Sequence, residues 1–372
     1  MSMFKVQRRL RRCCSIRVTM PAPTPGKKAA STPRARLTML RLAVAAAGLG
    51  LGGADASAQP TSYPLQVENC GQTLSFPAAP RNAVTIGQSV TEILYALGAG
   101  DRMAGTSLWF NDVLPEFRAQ NDRVPRLDNN VPSFESVINK RPGLVSTQFE
   151  WMVGPQGVVG TRPQFHDLGV PTYVMPPDCE GKNNLVGADG TRTAPFATDS
   201  IYRGITQLAQ IFDRQDRGTE LVTELRQREA AAIARARALN LADASAAFWF
   251  SSADLDLDPY MAGQKGIPGY MMRTLGLRNV VQSDEEWPTV GWETIARANP
   301  SVLVIARMDR RRFPADDFEK KLAFLRADPV TREMDAVRNN RIVILDAHAM
   351  QATIRLFGGL EALTDAMANL RQ

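Results

Sequence analysis

Histidine is scarce in this chain of 372 residues, which contains only His166 and His348. A site that captures Zn²⁺ or Mn²⁺ directly needs several His and carboxylate ligands, so the sequence offers no basis for a metal site. Neither a Gly-x-Ser-x-Gly elbow nor a phosphate-binding loop occurs. We therefore expect no catalysis and no resident cofactor. An exported hydrolase with His348 as its base is the alternative, and the sequence suggests no nucleophile for it.

Long apolar runs are also missing. The run Leu42–Leu51 has ten residues, which is too short to span a bilayer as a permanent helix. Arginines precede it, and the small residues 56–58 follow it, which is the layout of a secretory signal peptide cut after Ala58. Residues 1–58 are thus predicted to be a leader that sends the protein to the periplasm. Met1, Met20 and Met39 all remain possible starts.

An excess of basic residues is missing outside that leader. The net charge of +6 and the isoelectric point of 9.3 arise because residues 1–58 hold eleven Lys or Arg and a single Asp. The remaining chain has 33 basic and 37 acidic residues, which argues against binding to nucleic acid.

Cysteine occurs only four times, and two of the four, Cys13 and Cys14, lie in the leader. Cys70 and Cys179 remain after cleavage. Because an exported protein folds in an oxidising compartment, this pair predicts a disulfide. A metal-binding or nucleophilic thiol is the alternative.

Two stretches of the chain share one layout. Phe134-Glu-Ser-Val-Ile-Asn-Lys-Arg-Pro-Gly-Leu-Val-Ser and Trp292-Glu-Thr-Ile-Ala-Arg-Ala-Asn-Pro-Ser-Val-Leu-Val-Ile each predict a short helix, a turn at proline and a buried strand. Short helices that end in Gly98 and Gly276 precede them. Such a repeat predicts two similar α/β lobes.

The order of predicted elements divides the chain into segments. Residues 59–197 form an N-terminal lobe, 198–240 a helical segment, and 241–372 a C-terminal lobe. Strands are predicted at 83–86, 102–106, 144–147, 170–175, 246–250, 302–306 and 341–345. Their alternation with helices favours parallel sheets. The helical pattern at 216–240 would reach about 37 Å, enough to connect the lobes, although a surface helix of one lobe would look similar.

In these features the chain resembles the helical-backbone periplasmic binding proteins of ABC importers for ferric siderophores, haem and vitamin B12. The resemblance covers residues 62–372 and is most specific at 91–98, 135–145 and 287–293. It implies two Rossmann-like α/β lobes joined by a single long α-helix, with a ligand cleft between the lobes. It also implies a monomer that binds an iron chelate or a corrinoid and delivers it to an ABC permease dimer in the inner membrane.

Members of this family carry one surface glutamate per lobe that docks into arginine pockets of the permease, and the matching positions are Glu135 and Glu293. A pseudo-twofold protein suits a twofold partner, and a carboxylate can bind Arg in a bidentate manner. The alternative is that each glutamate only interacts with its helix dipole.

Ligand contacts are expected in the loops at the C-terminal ends of the strands, where open α/β sheets place their clefts. The predicted ligand-binding residues are Gln88, Trp109, Gln148, Trp151, Tyr260, Trp287, Arg307 and His348. By the resemblance, Trp109, Tyr260 and Trp287 match positions of aromatic ligand contacts in the cobalamin-binding relatives. Asn129 and Gln148, in contrast, stand where those relatives have tryptophans. A ferric siderophore or similar iron complex is therefore the expected ligand; a corrinoid ligand and a non-transport sensor remain alternatives.

Overall fold

A computed structural model describes residues 59–187 and 189–370. The predicted leader, with its cleavage site and Cys13 and Cys14, lies outside the described residues. The described chain begins with an antiparallel hairpin of β1 (Leu65–Asn69) and β2 (Gln72–Phe76). Both residues of its turn have positive φ, 50° at Cys70 and 75° at Gly71, as a tight two-residue hairpin turn requires.

The first lobe is built on a five-stranded parallel sheet. Its strands are β3 (Ala83–Ile86), β4 (Met103–Ser107), β5 (Arg126–Asp128), β6 (Leu144–Thr147) and β7 (Thr172–Val174), in the spatial order β5-β4-β3-β6-β7. Its helices are α1 (Gln88–Ala96), α2 (Arg118–Asn121), α3 (Phe134–Ile138) and α4 (Arg162–Asp167). Every residue of β3 and β6 is buried, as expected for central strands of a sheet covered on both faces.

A connecting region follows the first sheet. It contains a short antiparallel hairpin of β8 (Lys182–Asn183) and β9 (Thr191–Arg192), and then two helices, α5 (Asp199–Ile211) and α6 (Gln215–Leu239). Polar sequence around β8 and β9 predicts only a loop. Their pairing therefore comes from tertiary contacts rather than from local propensity.

The second lobe repeats the design. Its strands are β10 (Ser245–Ser251), β11 (Tyr260–Met261), β12 (Arg278–Asn279), β13 (Val302–Arg307) and β14 (Ile342–Asp346). The order is β11-β10-β13-β14, with β12 also on β10, and β11 is antiparallel to β10 while the other pairs are parallel. Its helices are α7 (Ile267–Leu275), α8 (Trp292–Ala298), α9 (Phe318–Ala327), α10 (Asp335–Arg338) and α11 (Arg355–Asn369).

The sequence repeat corresponds to a structural repeat. In the first lobe α3 leads into β6, which pairs with β3; in the second α8 leads into β13, which pairs with β10. The residue before each repeated proline has a left-handed backbone, with φ 48° at Arg141 and 43° at Asn299. The predicted two-lobe α/β fold is thus confirmed.

Helix α6 contacts both lobes along its 25 residues. Near its start Arg217 Nε donates to the Ala96 carbonyl at 2.8 Å, in the first lobe. One face further along packs on α11, where Arg228 pairs with Glu361 at 2.8 Å. Within residues 59–187 and 189–370 no helix, α6 included, combines the length and the apolar character that a membrane span needs.

The predicted disulfide is confirmed. Cys70 and Cys179 are bonded, with their Cα atoms 5.7 Å apart, and join the β1–β2 hairpin to the segment after β7. The bond closes a loop with a sequence separation of 109 residues. Closing such a loop restricts the unfolded chain far more than the folded one.

Removing this bond should therefore lower stability. We expect the Cys70→Ser/Cys179→Ser variant to lose about 4 kcal/mol of unfolding free energy in urea titrations. Reduced wild-type protein is the control and should unfold with the same midpoint as the variant. A double variant as stable as the oxidised protein would contradict the prediction.

Candidate ligand cleft

A cavity of about 310 Å³, here called the cleft, lies between the two lobes. Aromatic side chains form much of its wall: Phe149 stacks on Trp151 with ring centres 5.6 Å apart, and Phe250 lies 4.8 Å from Trp287. Phe110 of the first lobe reaches Phe250 of the second at 6.3 Å. The lining residues are Leu108, Phe110, Asn130, Val131, Phe149, Trp151, Asp189, Phe250, Ser251, Tyr260, Trp287, Arg310, Arg312, Phe313, Asp316 and Gln351.

The strand ends explain this arrangement. Leu108 and Phe110 follow β4, Phe149 follows β6, and Phe250 lies near the end of β10. Because the carboxyl ends of parallel strands meet at one edge of each sheet, these side chains converge on the space between the two edges. Rigid aromatic walls of this kind suit a ligand with large, partly apolar faces.

Hydrogen-bond donors without acceptors are also present in the cleft. Neither Trp287 Nε1 nor Arg310 Nε has a hydrogen-bond partner among the described residues, although both atoms are buried. The Arg310 guanidinium lies 4.2 Å from the centre of the Phe110 ring, and burial lowers its pKa below the usual arginine value. A ligand that carries oxygen acceptors would satisfy these donors.

Arg310 and Arg312 lie on one loop, and the buried carboxylate of Asp316 holds that loop in place. Asp316 accepts the backbone N–H groups of Arg312 and Phe313 at 2.7 and 3.0 Å, and the Ser251 hydroxyl at 2.6 Å. These three bonds tie the loop to the end of β10. Residues 310–313 are preorganised beside the cleft as a result.

Three of the eight sequence-predicted ligand residues, Trp151, Tyr260 and Trp287, line the cleft. The other five predicted residues lie outside its lining: Gln88, Trp109, Gln148, Arg307 and His348. Arg307 is exposed at the last position of β13. The sequence interpretation named Arg307 and not Arg310 or Arg312, both of which line the cleft. The run 310–312 of three arginines, which follows the same strand, was a usable signal for them.

Trp109 is turned away from the cleft. It lies between Leu108 and Phe110, both of which line the cleft, and its own side chain is buried under the guanidinium of Arg126 at 4.5 Å. Leu108 has a left-handed backbone with φ 59°, and the Gln88 N–H donates to its carbonyl at 3.0 Å. A leucine rarely adopts this conformation, so the sequence does not reveal which neighbour faces the ligand.

Gln88 is buried at the start of α1, and the protein itself occupies its amide. The oxygen accepts from the N–H groups of Phe110 and Asn111 at 3.1 and 3.2 Å, and the nitrogen donates to Glu92 at 3.1 Å. The side chain therefore holds the loop that carries Phe110. Gln88 thus affects the cleft indirectly, through the position of Phe110.

Gln148 and His348 form a buried contact between the lobes. His348 Nε2 lies 3.3 Å from Gln148 Oε1, which also accepts from the Ser89 N–H at 3.0 Å. Burial first, and then the charges of Arg355 and Arg310, lower the pKa of His348 well below its usual value, so the ring is neutral. It stacks against Phe110 at 5.5 Å. The pair supports the cleft wall.

A larger polar network joins the lobes beside this pair. Arg355 of the second lobe donates to the Glu92 carboxylate of the first lobe, at 2.9 Å for its Nε, and to Asp346 at 2.8 Å. It also donates to the Asp112 carbonyl at 2.6 Å. The Glu92 side chain is fully buried. Asn111 adds a 2.5 Å bond to Asp346, a further hydrogen bond between the lobes.

Glu135 and Glu293 occupy equivalent positions, each the second residue of its helix, α3 or α8. Both are exposed. No hydrogen bond or ion pair engages either carboxylate within the described residues. Both are thus accessible for a partner, which is compatible with the docking prediction.

The chain belongs to the periplasmic binding protein family, because the sequence profile of that family matches residues 84–349. The predicted family relationship is thereby confirmed. Among curated proteins, the uncharacterized ABC transporter substrate-binding lipoprotein YvrC of Bacillus subtilis (strain 168) is 22% identical over 307 residues, which are 82% of this chain and 86% of YvrC.

Two solved structures share this fold. A structure titled as an ABC-type Fe³⁺-hydroxamate transport system from Saccharomonospora viridis is 25% identical, covers 82% of this chain and 99% of its own, and has a TM-score of 0.66. The periplasmic heme-binding protein RhuT from Roseiflexus, in apo form, is 20% identical, covers 78% and 99%, and has a TM-score of 0.59.

The network around Arg355 provides a stability test. Arg355→Met leaves Glu92 buried without its cation, which should cost about 3–5 kcal/mol in urea unfolding. Arg228→Met is the matched control, because its partner Glu361 is partly exposed, and it should cost about 1 kcal/mol or less. Equal losses in the two variants would show that Arg355 does not hold the lobes in this way.

Proposed function

We propose that this protein is the periplasmic substrate-binding component of an ABC importer that captures a ferric siderophore or a similar iron complex. The observation that carries the proposal is the cleft, where aromatic walls from both lobes surround buried, unpaired donors. Ferric chelates present flat organic faces and oxygen atoms that carry negative charge, which match these two features. The hydroxamate system named for the S. viridis structure supports the same ligand class.

Capture of a ligand and its delivery to a permease would account for the cleft and for the two matched glutamates. The ligand-facing groups named above are walls and donors, and we propose no reaction for them. Export through the predicted leader would place the protein in the periplasm, and the matched glutamates would meet a permease dimer in the inner membrane. The lipoprotein YvrC, named as an ABC transporter substrate-binding protein, is consistent with this role.

Calorimetric titration of the chain from Gln59 onward tests the ligand class. The ligands are ferric hydroxamate, ferric catecholate, ferric citrate, haem and cobalamin, and we expect saturable binding of an iron chelate. Trp287→Phe removes one unpaired donor from the cleft and should weaken binding roughly tenfold. Trp292→Phe is the matched control, because its Nε1 is also buried and unpaired but belongs to the core of the second lobe.

The outcomes separate the candidate ligands. Binding of cobalamin alone would favour a corrinoid, and binding of haem alone would favour the class of RhuT. No binding in the whole panel would contradict a transport role for an iron complex. An equal loss of affinity in Trp287→Phe and Trp292→Phe would show that the cleft donor is not engaged.

Permease docking is tested by substituting both matched glutamates. Glu135→Ala/Glu293→Ala should reduce cellular uptake about tenfold or more, because each lost carboxylate removes a charge-assisted bond to an arginine. Ligand affinity should not change. Glu116→Ala/Glu319→Ala is the control, since it removes one exposed first-turn glutamate from each lobe. Unchanged uptake in the first variant would defeat the docking proposal.

A further inference from the structure

The β8–β9 hairpin lies in the connecting region that follows the first sheet and is bonded to the second lobe. The Arg192 N–H donates to the Asp284 carbonyl at 2.8 Å, and the Glu286 N–H donates to the Gly190 carbonyl at 2.9 Å. A residue of the hairpin, Asp189, lines the cleft. The hairpin is therefore a bridge between the lobes that also contributes to the ligand-binding wall.

Four buried charges hold this bridge as two ion pairs. Lys182 Nζ donates to Asp178 at 2.6 Å, and the Arg192 guanidinium donates to Glu286. All four side chains are at least nine-tenths buried. Arg192 also donates to the Pro177 carbonyl at 3.1 Å. Each base is thus matched by one acid, and each pair is neutral in itself.

Asp189 is a third carboxylate near the two cations Lys182 and Arg192. It lies beside a small cavity of about 20 Å³ that the four paired residues also line, and no hydrogen bond or ion pair engages its carboxylate among the described residues. Burial, followed by the charges of Asp178 and Glu286, raises the pKa of Asp189 to about 6, although Lys182 opposes the shift. One negative charge at the cleft wall is left without a counter-ion.

The charged residues on the opposite side of the cleft do not neutralise the Asp189 carboxylate. Asp316 is engaged with the loop N–H groups and Ser251, and no ion pair joins Arg310 or Arg312 to Asp189 in the described structure. The cleft therefore presents arginines on one side and a carboxylate on the other. A ligand with only one kind of charge would leave one of these sides unsatisfied.

We propose that Asp189 is a specificity-determining residue that selects ligands carrying a cationic amine in addition to oxygen acceptors. The inference rests on the proposed function and narrows it to iron chelates with a free ammonium group. The ammonium would bind Asp189 while the chelate oxygens face Trp287 and Arg310. A carboxylate that lacks a partner in a partly buried site gains most from a charged donor.

A pair of ligands that differ in one charge tests this directly. The probes are a linear ferric trihydroxamate with a free terminal ammonium and its N-acetylated derivative, titrated by calorimetry at pH 7.5. Wild-type protein should bind the ammonium form about tenfold more tightly. Asp189→Asn should bind both forms equally, and Asp256→Asn, which removes an exposed acid outside the cleft lining, should keep the preference.

The same experiment at pH 5 provides an independent arm. With a pKa of about 6, Asp189 is ionised at pH 7.5 and about one-tenth ionised at pH 5, so the affinity for the ammonium form should fall about tenfold. Affinity for the acetylated form, and for both forms in Asp189→Asn, should change little. A merely structural role for Asp189 would not produce this difference between the two ligands.

Every outcome decides the proposal. Equal wild-type affinities for the two hydroxamates, or a preference that survives in Asp189→Asn, would overturn it while leaving the proposed function intact. Binding of haem or ferric citrate with no binding of either hydroxamate would overturn it as well. If no iron complex binds, the proposed function fails and this inference fails with it.

Discussion

The buried network around Arg355 is the interaction on which the cleft depends. One guanidinium holds Glu92 of the first lobe and Asp346 of the second, and the neighbouring Asn111 joins the loop after β4 to Asp346. That loop carries Phe110, which forms the cleft wall against Phe250. Because a charge inside a protein is costly unless it is paired, the network favours the lobe placement in which Glu92 and Arg355 stay paired.

Several connections between the lobes favour ligand capture with little closure. Helix α6 contacts both lobes, the Arg355 network joins them beside the cleft, and the β8–β9 hairpin bonds to the second lobe through Arg192 and Glu286. A preformed site loses less conformational entropy on binding than one that must close. Recognition by the permease would then rest on small changes in lobe spacing.

Much of this structure could be predicted from sequence because its signals are local. The repeated helix–proline–strand segments at Phe134 and Trp292 indicated two α/β lobes, and the two cysteines outside the predicted leader indicated their disulfide. The cleft was predictable only in part. Trp151, Tyr260 and Trp287 line the cleft, as their places at strand ends predict, whereas Trp109 lies outside its lining, next to a left-handed Leu108 that the sequence does not reveal. Asp189 could not be singled out from the sequence because its charged surroundings come together only through tertiary pairing.

Anomalous X-ray scattering at the iron edge, from crystals grown with the ferric chelate that binds most tightly, tests the central claim most directly. The account predicts one iron peak in the cleft, between the Trp151 and Trp287 walls and near Arg310. An iron peak elsewhere on the protein, or bound chelate with an empty cleft, would contradict the assignment of the cleft as the ligand site.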